Sequence, residues 1–303
     1  MTGIIVKGNF PTNTIKGYAT KFYGEYNMDD AQWAPMFEKL SSERAFELDV
    51  LTDNFTVIPG KPEGSNITYQ SGQQRFTTTY NHTSFGGGFQ ISKEAKDDGK
   101  ELDVMKKYMR QLGDAAKRTN EVNGANILNR GFDSNYVGGD LVELFSTAHA
   151  VESGTQANTL ATQAALSEAS LEDLCILVKK TKDFNGNFAS LNTQSLMVPP
   201  ALQFEAERIL NSAARVATAN NDLNAIRAMG KFPKGFTVNQ YFDSDNRFVI
   251  KTNAQDGLKF YDRTPPEFSM DGSFDAEVSK YKIFFRNAFG WTDFRGAVAS
   301  GNF

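Results

Sequence analysis

Along the first 35 residues apolar and polar positions follow neither a helical nor a strand period. Gly, Asn, Thr and Tyr are frequent, and Phe10, Tyr18, Phe22, Tyr23, Tyr26 and Trp33 stand in polar surroundings. This predicts an extended arm, too rich in aromatic residues for a disordered tail and therefore one that docks on something. From Asn54 to Ser92 the residue types become β-branched and aromatic: Phe55-Thr-Val-Ile, a Pro59-Gly-Lys-Pro-Glu-Gly tip, Ile67-Thr-Tyr, then Arg75-Phe-Thr-Thr-Thr-Tyr. Strands flanking a Pro/Gly tip predict a hairpin. In its second limb Phe76, Thr78, Tyr80 and His82 alternate with Thr77, Thr79 and Asn81, so neither face has the aliphatic bulk of a core strand. A two-stranded ribbon is marginal alone in water, so this one needs another element or another chain.

Near Lys93 the period lengthens to 3.6. From Glu101 to Leu128, Leu102, Met105, Met109, Leu112, Ala116, Thr119 and Val122 recur at i, i+3 or i+4, with Lys106, Lys107, Arg110, Asp114, Lys117 and Arg118 mostly opposite. One helix about 42 Å long follows. Gly113 and Gly124 argue against a coiled coil. Beyond it helices and strands alternate. A helix over Leu166–Lys182 is capped by Ser167 or Ser170, and Asp183-Phe-Asn-Gly-Asn turns the chain. Leu196-Met-Val reads as a buried strand, and Pro199-Pro200 opens a second helix through Leu210. Strands follow at Phe236–Val238, Arg247–Thr252, Leu258–Tyr261 and Val278–Phe289. The fold class is α+β, without internal repeats.

Charge and composition narrow the function. Among 303 residues, 32 Lys and Arg against 36 Asp and Glu give a net charge of −4, unlike a protein built chiefly to grip phosphate backbones. The lone Cys175 can form neither an internal disulfide nor a Cys-rich zinc site, and His82 and His149 are too far apart for a histidine metal motif. Apolar runs as short as Leu174–Val178 predict no membrane helix, and the N-terminus shows no secretory pattern; a soluble, cytoplasmic chain is the expectation. No cofactor is implied.

Phe85-Gly-Gly-Gly-Phe89 matches neither phosphate-loop pattern and is expected to be a hinge or bulge between ribbon and helix. Asp243-Ser-Asp-Asn-Arg lacks the Gly and Glu of a calcium loop and reads as a polar turn. His149, in Phe145-Ser-Thr-Ala-His, has no nucleophile elbow near it and is better read as a hydrogen-bonded structural histidine than as part of a triad. Lys179, Lys180 and Lys182 suit the negative end of their helix.

Six segments, in order, resemble the major capsid proteins of tailed bacteriophages, in particular Mu-type major head subunits with the Hong-Kong-97 fold. They are Phe37-Glu-Lys-Leu-Ser-Ser-Glu-Arg-Ala-Phe-Glu, Tyr80-Asn-His-Thr-Ser-Phe-Gly-Gly-Gly-Phe-Gln-Ile-Ser-Lys-Glu, Ala125-Asn-Ile-Leu-Asn, Leu144-Phe-Ser-Thr-Ala-His, Leu196-Met-Val-Pro-Pro-Ala-Leu and Phe289-Gly-Trp-Thr-Asp-Phe-Arg-Gly. The resemblance implies an N-terminal arm (1–52), a hairpin E-loop (53–92), a peripheral domain with a spine helix (93–160), an axial domain (161–262) and C-terminal strands returning to the peripheral domain (263–303). It implies a non-enzymatic shell subunit that forms pentamers and hexamers of an icosahedral head around double-stranded DNA. Its partners would be copies of itself, a portal, separate scaffold or decoration proteins, and DNA by non-specific proximity; its place would be the virion capsid, assembled in the host cytoplasm. Candidate inter-subunit contacts are Phe10, Tyr18, Phe22, Trp33, Lys61, Tyr69, Phe76 and Tyr80. Lys61 sits at the loop tip where some relatives cross-link, though no Asn and Glu pair in the C-terminal strands is assigned to it. A nanocompartment shell of the same fold and an unrelated α+β enzyme using His149 are the alternatives.

Overall fold

The computed structural model describes residues 31–94, 101–151, 154–213, 223–273 and 277–301. Two four-stranded sheets carry the fold, in keeping with an α+β chain. The first is ordered β1 (Glu38–Ser41), β10 (Leu258–Ser273), β11 (Val278–Trp291), β4 (Thr83–Ser92), with β1 parallel to β10 and the other pairs antiparallel. The second is ordered β12 (Ala297–Ser300), β9 (Phe248–Thr252), β7 (Thr193–Val198), β8 (Phe236–Val238), with only β7 and β8 parallel. Two short pairs complete the strands: β2 (Phe46–Thr52) with β3 (Gln74–Asn81), and β5 (His149–Val151) with β6 (Gly154–Gln156).

The first sheet packs on the long helix α1 (Glu101–Asn129). On β11 the period-two pattern turns Tyr281, Ile283 and Phe285 to the helix, where they form one cluster with Met109 and Ala116 of α1 and Ile91 of β4. Opposite them in register, Phe85 stacks on Phe285 at 5.1 Å and Phe89 on Tyr281 at 4.8 Å. The three glycines between those phenylalanines are therefore not a hinge. They lie inside an unbroken strand. A Cβ on Gly88 would stand 2.4 Å from the Tyr281 carbonyl, so that position has no room for a side chain beside β11, whereas one on Gly87 would lie at ordinary contact distance from Leu112.

The inward face of α1 differs from the one the period predicts in its second half. Thr119 and Val122 are not buried; Ala116 is followed inward by Asn120, Gly124, Ala125 and Leu128. Asn287 Nδ2 donates to Asn120 Oδ1 at 2.8 Å, so a polar pair replaces an apolar one where the helix crosses β11. The side chains of residues 101–106 lie outside the described set.

The second sheet is covered on both faces. Leu196, Val198, Phe248, Ile250 and Val298 point to a cluster closed by α2 (Glu168–Lys180), α3 (Gln203–Asn211) and the single turn α4 (Ala225–Ala228). Met197, Val249, Ala297 and Ala299 point the other way, to Trp33, Leu128, Leu144, Phe145, Leu258 and Phe260. This second cluster joins the two sheets, and a sheet buried on both sides reads as continuously apolar. Ser167 caps α2 in a reciprocal box with Ser170, and the turn after it closes with Asp183 N–H donating to Asn187 O at 2.7 Å, Gly186 taking φ +85°.

Pro265 and Pro266 sit in β10 beyond its pairing with β1, on an edge without a partner strand among the described residues, and the register shift between Thr264 and Glu267 spans them. Gly131 is the tightest point of the joint: an added Cβ would stand 2.4 and 2.5 Å from two Phe145 ring carbons, and Phe145 is fully enclosed. Gly131→Ala should cost about 1–3 kcal/mol of unfolding free energy by overpacking. Gly72→Ala, with nothing within 4 Å, should change it little; denaturant unfolding of both variants checks the contrast.

Candidate inter-subunit interface

The ribbon begins earlier and is shorter in strand than its residue types predict. Its paired limbs are β2 and β3, whereas residues 53–73 carry no regular strand. Thr83–Ser92, grouped by sequence with the hairpin, instead pairs with β11 in the first sheet. Within the ribbon Phe46, Leu48 and Val50 share one face with Asn81, Thr79 and Thr77, and Phe46 and Leu48 are exposed. The other face holds Glu47, Asp49, Thr78 and Tyr80 toward the body.

A polar chain bolts that inner face down. Lys259 Nζ donates to Asp256 Oδ1 at 2.6 Å and also to Asp49; Thr292 Oγ1 donates to the same Asp49 carboxylate. Tyr80 Oη lies 2.7 Å from Thr292 Oγ1, whose proton is already committed to Asp49, so the phenol donates. Burial tends to lower the Lys259 pKa, but its hydrogen bonds to Asp256 and Asp49, with their charges, leave it raised overall. Burial likewise raises the Tyr80 phenol far above its ordinary value, with the nearby Asp49 charge adding to it and the Thr292 bond opposing it.

Beside the bolt, a register shift sets Arg75 and Phe76 opposite Leu51. Leu51 and Phe76 then pack on Phe184 and Phe294, with the Phe76 and Phe184 rings edge to face at 5.5 Å. Arg75 Nε–H is shared between both Asp53 carboxylate oxygens, at 2.7 and 2.8 Å, while the guanidinium lies 5.9 Å from the Phe184 ring centre. The ribbon base is thus tied both to the end of β11 and to the turn after α2.

Past Asp53 the ties thin out. The described links are Asp53 N–H to Gln73 O at 2.9 Å, Asn185 Nδ2 to Asn54 O, a Gln70 amide bridging Thr56, and a turn in which Ser65 donates to Pro62 O. Phe55, Val57, Ile58, Ile67 and Tyr69 are all exposed, Tyr69 to 91%. Such a run on a single protruding element is larger than scattered surface apolar residues explain.

The predicted contact residues divide accordingly. Lys61 and Tyr69 lie on the exposed tip, and Phe76 is half-buried at the base. Phe10, Tyr18 and Phe22 lie outside the described residues. Trp33 and Tyr80 are corrections: at 1% and 3% exposure both are consumed inside their own chain. Trp33 packs between Phe260 at 4.6 Å and Phe289 at 5.0 Å, in space opened by Gly124, while the buried Glu121 carboxylate accepts from the Gln32 and Trp33 amides at 2.7 and 3.3 Å. Sequence reasoning missed Phe46 and Leu48, although their i, i+2 spacing in Phe46-Glu-Leu-Asp-Val is a strand signal.

His149 is structural, as read. Its ring is wholly buried, with Nδ1 2.6 Å from Asp140, Nε2 3.2 Å from Asn158 Oδ1, and its plane stacked on Phe294 at 3.9 Å. Asn158 in turn donates to the Leu144, Phe294 and Ala297 carbonyls, joining the loop before β5 to the last strand. Asp243 turns back on Arg247 at 2.7 Å, the polar turn expected there.

A protruding ribbon with a locked base and an apolar, unburied tip is the geometry of a subunit that joins others. The model of one family, described as phage capsid protein, matches residues 75–300, well over half of the chain. The chain belongs to that family. The match opens within β3, so the outward limb of the ribbon precedes it. No curated protein matches. Among solved structures, a protein of Mycobacterium phage Patience is similar at TM-score 0.55 and 11% identity over 95% of this chain and 85% of that one. The capsid of an empty GTA particle is similar at 0.55 and 13% identity over 88% of each chain, and a virus-like particle from Pyrococcus furiosus at 0.54 and 8% over 95% of this chain and 99% of that one. At these identities the likeness is one of fold, and that fold is the Hong-Kong-97 type implied by the six ordered segments. The protein is a capsid protein that assembles with copies of itself. No helix among the described residues is long and apolar enough to cross a membrane.

The bolt makes the capsid subunit sensitive to alkali. Folded Tyr80 and Lys259 both hold their protons to higher pH than the unfolded chain does, so the native state binds more protons and stability falls as pH rises above about 10. Tyr80→Phe should cost about 1 kcal/mol at neutral pH through the lost hydrogen bond. Above pH 10 its stability should decline less steeply than that of the parent, measured by urea unfolding at stepped pH; an unchanged slope would show that Tyr80 titrates normally.

Proposed function

We propose that this capsid protein is the major head subunit of a tailed phage, closing into pentamers and hexamers of an icosahedral shell around double-stranded DNA. In this reading residues 53–73 form the E-loop, α1 is the spine helix, the first sheet belongs to the peripheral domain and the second to the axial domain. The ribbon tip lies on a neighbouring subunit, and the aromatic residues of the arm, Phe10, Tyr18 and Phe22 among them, reach another.

The observation that carries the reading is the contrast along one ribbon: an inner face fixed by Asp49, Lys259, Thr292 and Tyr80, and a tip whose five large apolar side chains find no cover among the described residues. Burying apolar area between copies, at about 25 cal/mol per Å², supplies the drive for closure, and repeated modest contacts sum by multivalency. The charge of −4 suits a container that should not hold its DNA tightly. Shell assembly in the host cytoplasm, on a portal and with separate scaffold or decoration proteins, completes this proposal. The family match favours it over a nanocompartment shell.

The anchoring of β3 sets where the ribbon can be cut. Replacing residues 55–71 by an Asn-Gly turn spares β2, β3 and the Asp53 to Gln73 hydrogen bond. The variant should stay soluble and unfold within about 1 kcal/mol of the parent, as loop changes away from a core do. Negative-stain electron microscopy should show no closed shells from it. Normal shells would remove the tip from the assembly mechanism.

A further inference from the structure

Leu171, Leu174 and Val178 bind α2 to the core and leave its outer side facing α4. Between the two helices runs an apolar groove of about 350 Å³, walled by Ile176 and Met229 over Cys175 and rimmed by Lys179, Lys180 and Lys231. Ile176 and Met229 remain exposed, so nothing in the subunit covers the groove among the described residues. Among the described lining residues Glu172 is the one acid, against the three lysines.

A matching feature stands on α3. Ala206, Ile209 and Leu210 turn that helix inward, which sends Phe204 out to 71% exposure, although it is the largest apolar residue of the helix. Glu205 and Glu207 flank it, with Arg208 the one cation on that turn. The knob is apolar with an acidic excess, and the groove is apolar with a basic excess. Phe204 does not line the groove of its own subunit, so only another copy can bring them together.

We propose that Phe204 of one subunit enters the α2–α4 groove of the next. Because knob and groove are different patches, each subunit offers one of each. The contact runs head to tail and closes into a ring when the rotation between copies fits. A Phe ring is large enough to act as an anchor, and the opposed charges around it fix register. The proposal rests on the shell reading above and identifies which faces meet within a ring.

Exposed positions allow a covalent test. In a Cys175→Ser background, Phe204→Cys and Met229→Cys together should give, after oxidation of assembled particles, a ladder of disulfide-linked multimers on a non-reducing gel, absent from each single-cysteine control. Closed shells without that ladder would overturn the proposal while leaving the shell reading intact; a parent protein that forms no shells would overturn both. A ladder from Phe10→Cys with Met229→Cys, and none from the Phe204 pair, would assign the groove to the arm and overturn it too. Independently, Lys180→Glu with Lys231→Glu should raise the concentration needed for assembly about tenfold. Adding Glu205→Lys and Glu207→Lys should recover most of that loss, and no recovery would count against the pairing.

Discussion

The placement of the ribbon depends on one carboxylate. Asp49 takes a buried ammonium and a buried hydroxyl at once, and through them fastens a ribbon that has little core of its own to the hairpin of β10 and β11. A buried charge of this kind is costly unless fully partnered, and here Lys259 has two carboxylates and Asp49 has two donors. The base of the ribbon is thereby held to the body, whereas residues 53–73 carry no regular strand. In the proposed shell the exposed apolar tip is covered by another chain, while the base is already satisfied within its own.

The joint between the sheets performs the corresponding task inside the subunit. Met197 and Val249 face one way and Leu196, Val198 and Ile250 the other, so the second sheet is clamped between helices and the Trp33–Phe145 cluster. Small residues make this possible. Gly124 admits Trp33 and Gly131 admits Phe145, and each replaces a side chain that the packing has no space for. Several buried polar groups at the same joint are partnered: Glu121 with two amides, Asn120 with Asn287, and His149 with Asp140 and Asn158. A subunit that must transmit force between neighbours gains from such a joint, since packed interiors deform little.

Much of this was legible in the sequence because period and turn chemistry are local. The long helix, the helix begun by Ser167, the strand at Leu196–Val198 and the terminal strand from Val278 follow from spacing and caps alone. What escaped was decided by partners far away in the chain. Phe85-Gly-Gly-Gly-Phe reads locally as a hinge, yet pairing with β11 makes it a strand in which Gly88 has no room for a Cβ. Trp33 and Tyr80 read as sticky aromatics in polar surroundings, and only the approach of Phe289 and Thr292 encloses them. The inward turn of Asn120 was hidden because its mate, Asn287, is 167 residues away.

The central claim is that the ribbon base is complete within the subunit and the tip is completed by assembly. Amide hydrogen exchange, compared between free subunits and closed shells, reads this directly. Amides of residues 55–71 should exchange rapidly in the free subunit and become strongly protected in the shell, while those of β2 and β3 should be protected in both. Equal exchange of the tip amides in subunit and shell would contradict the account.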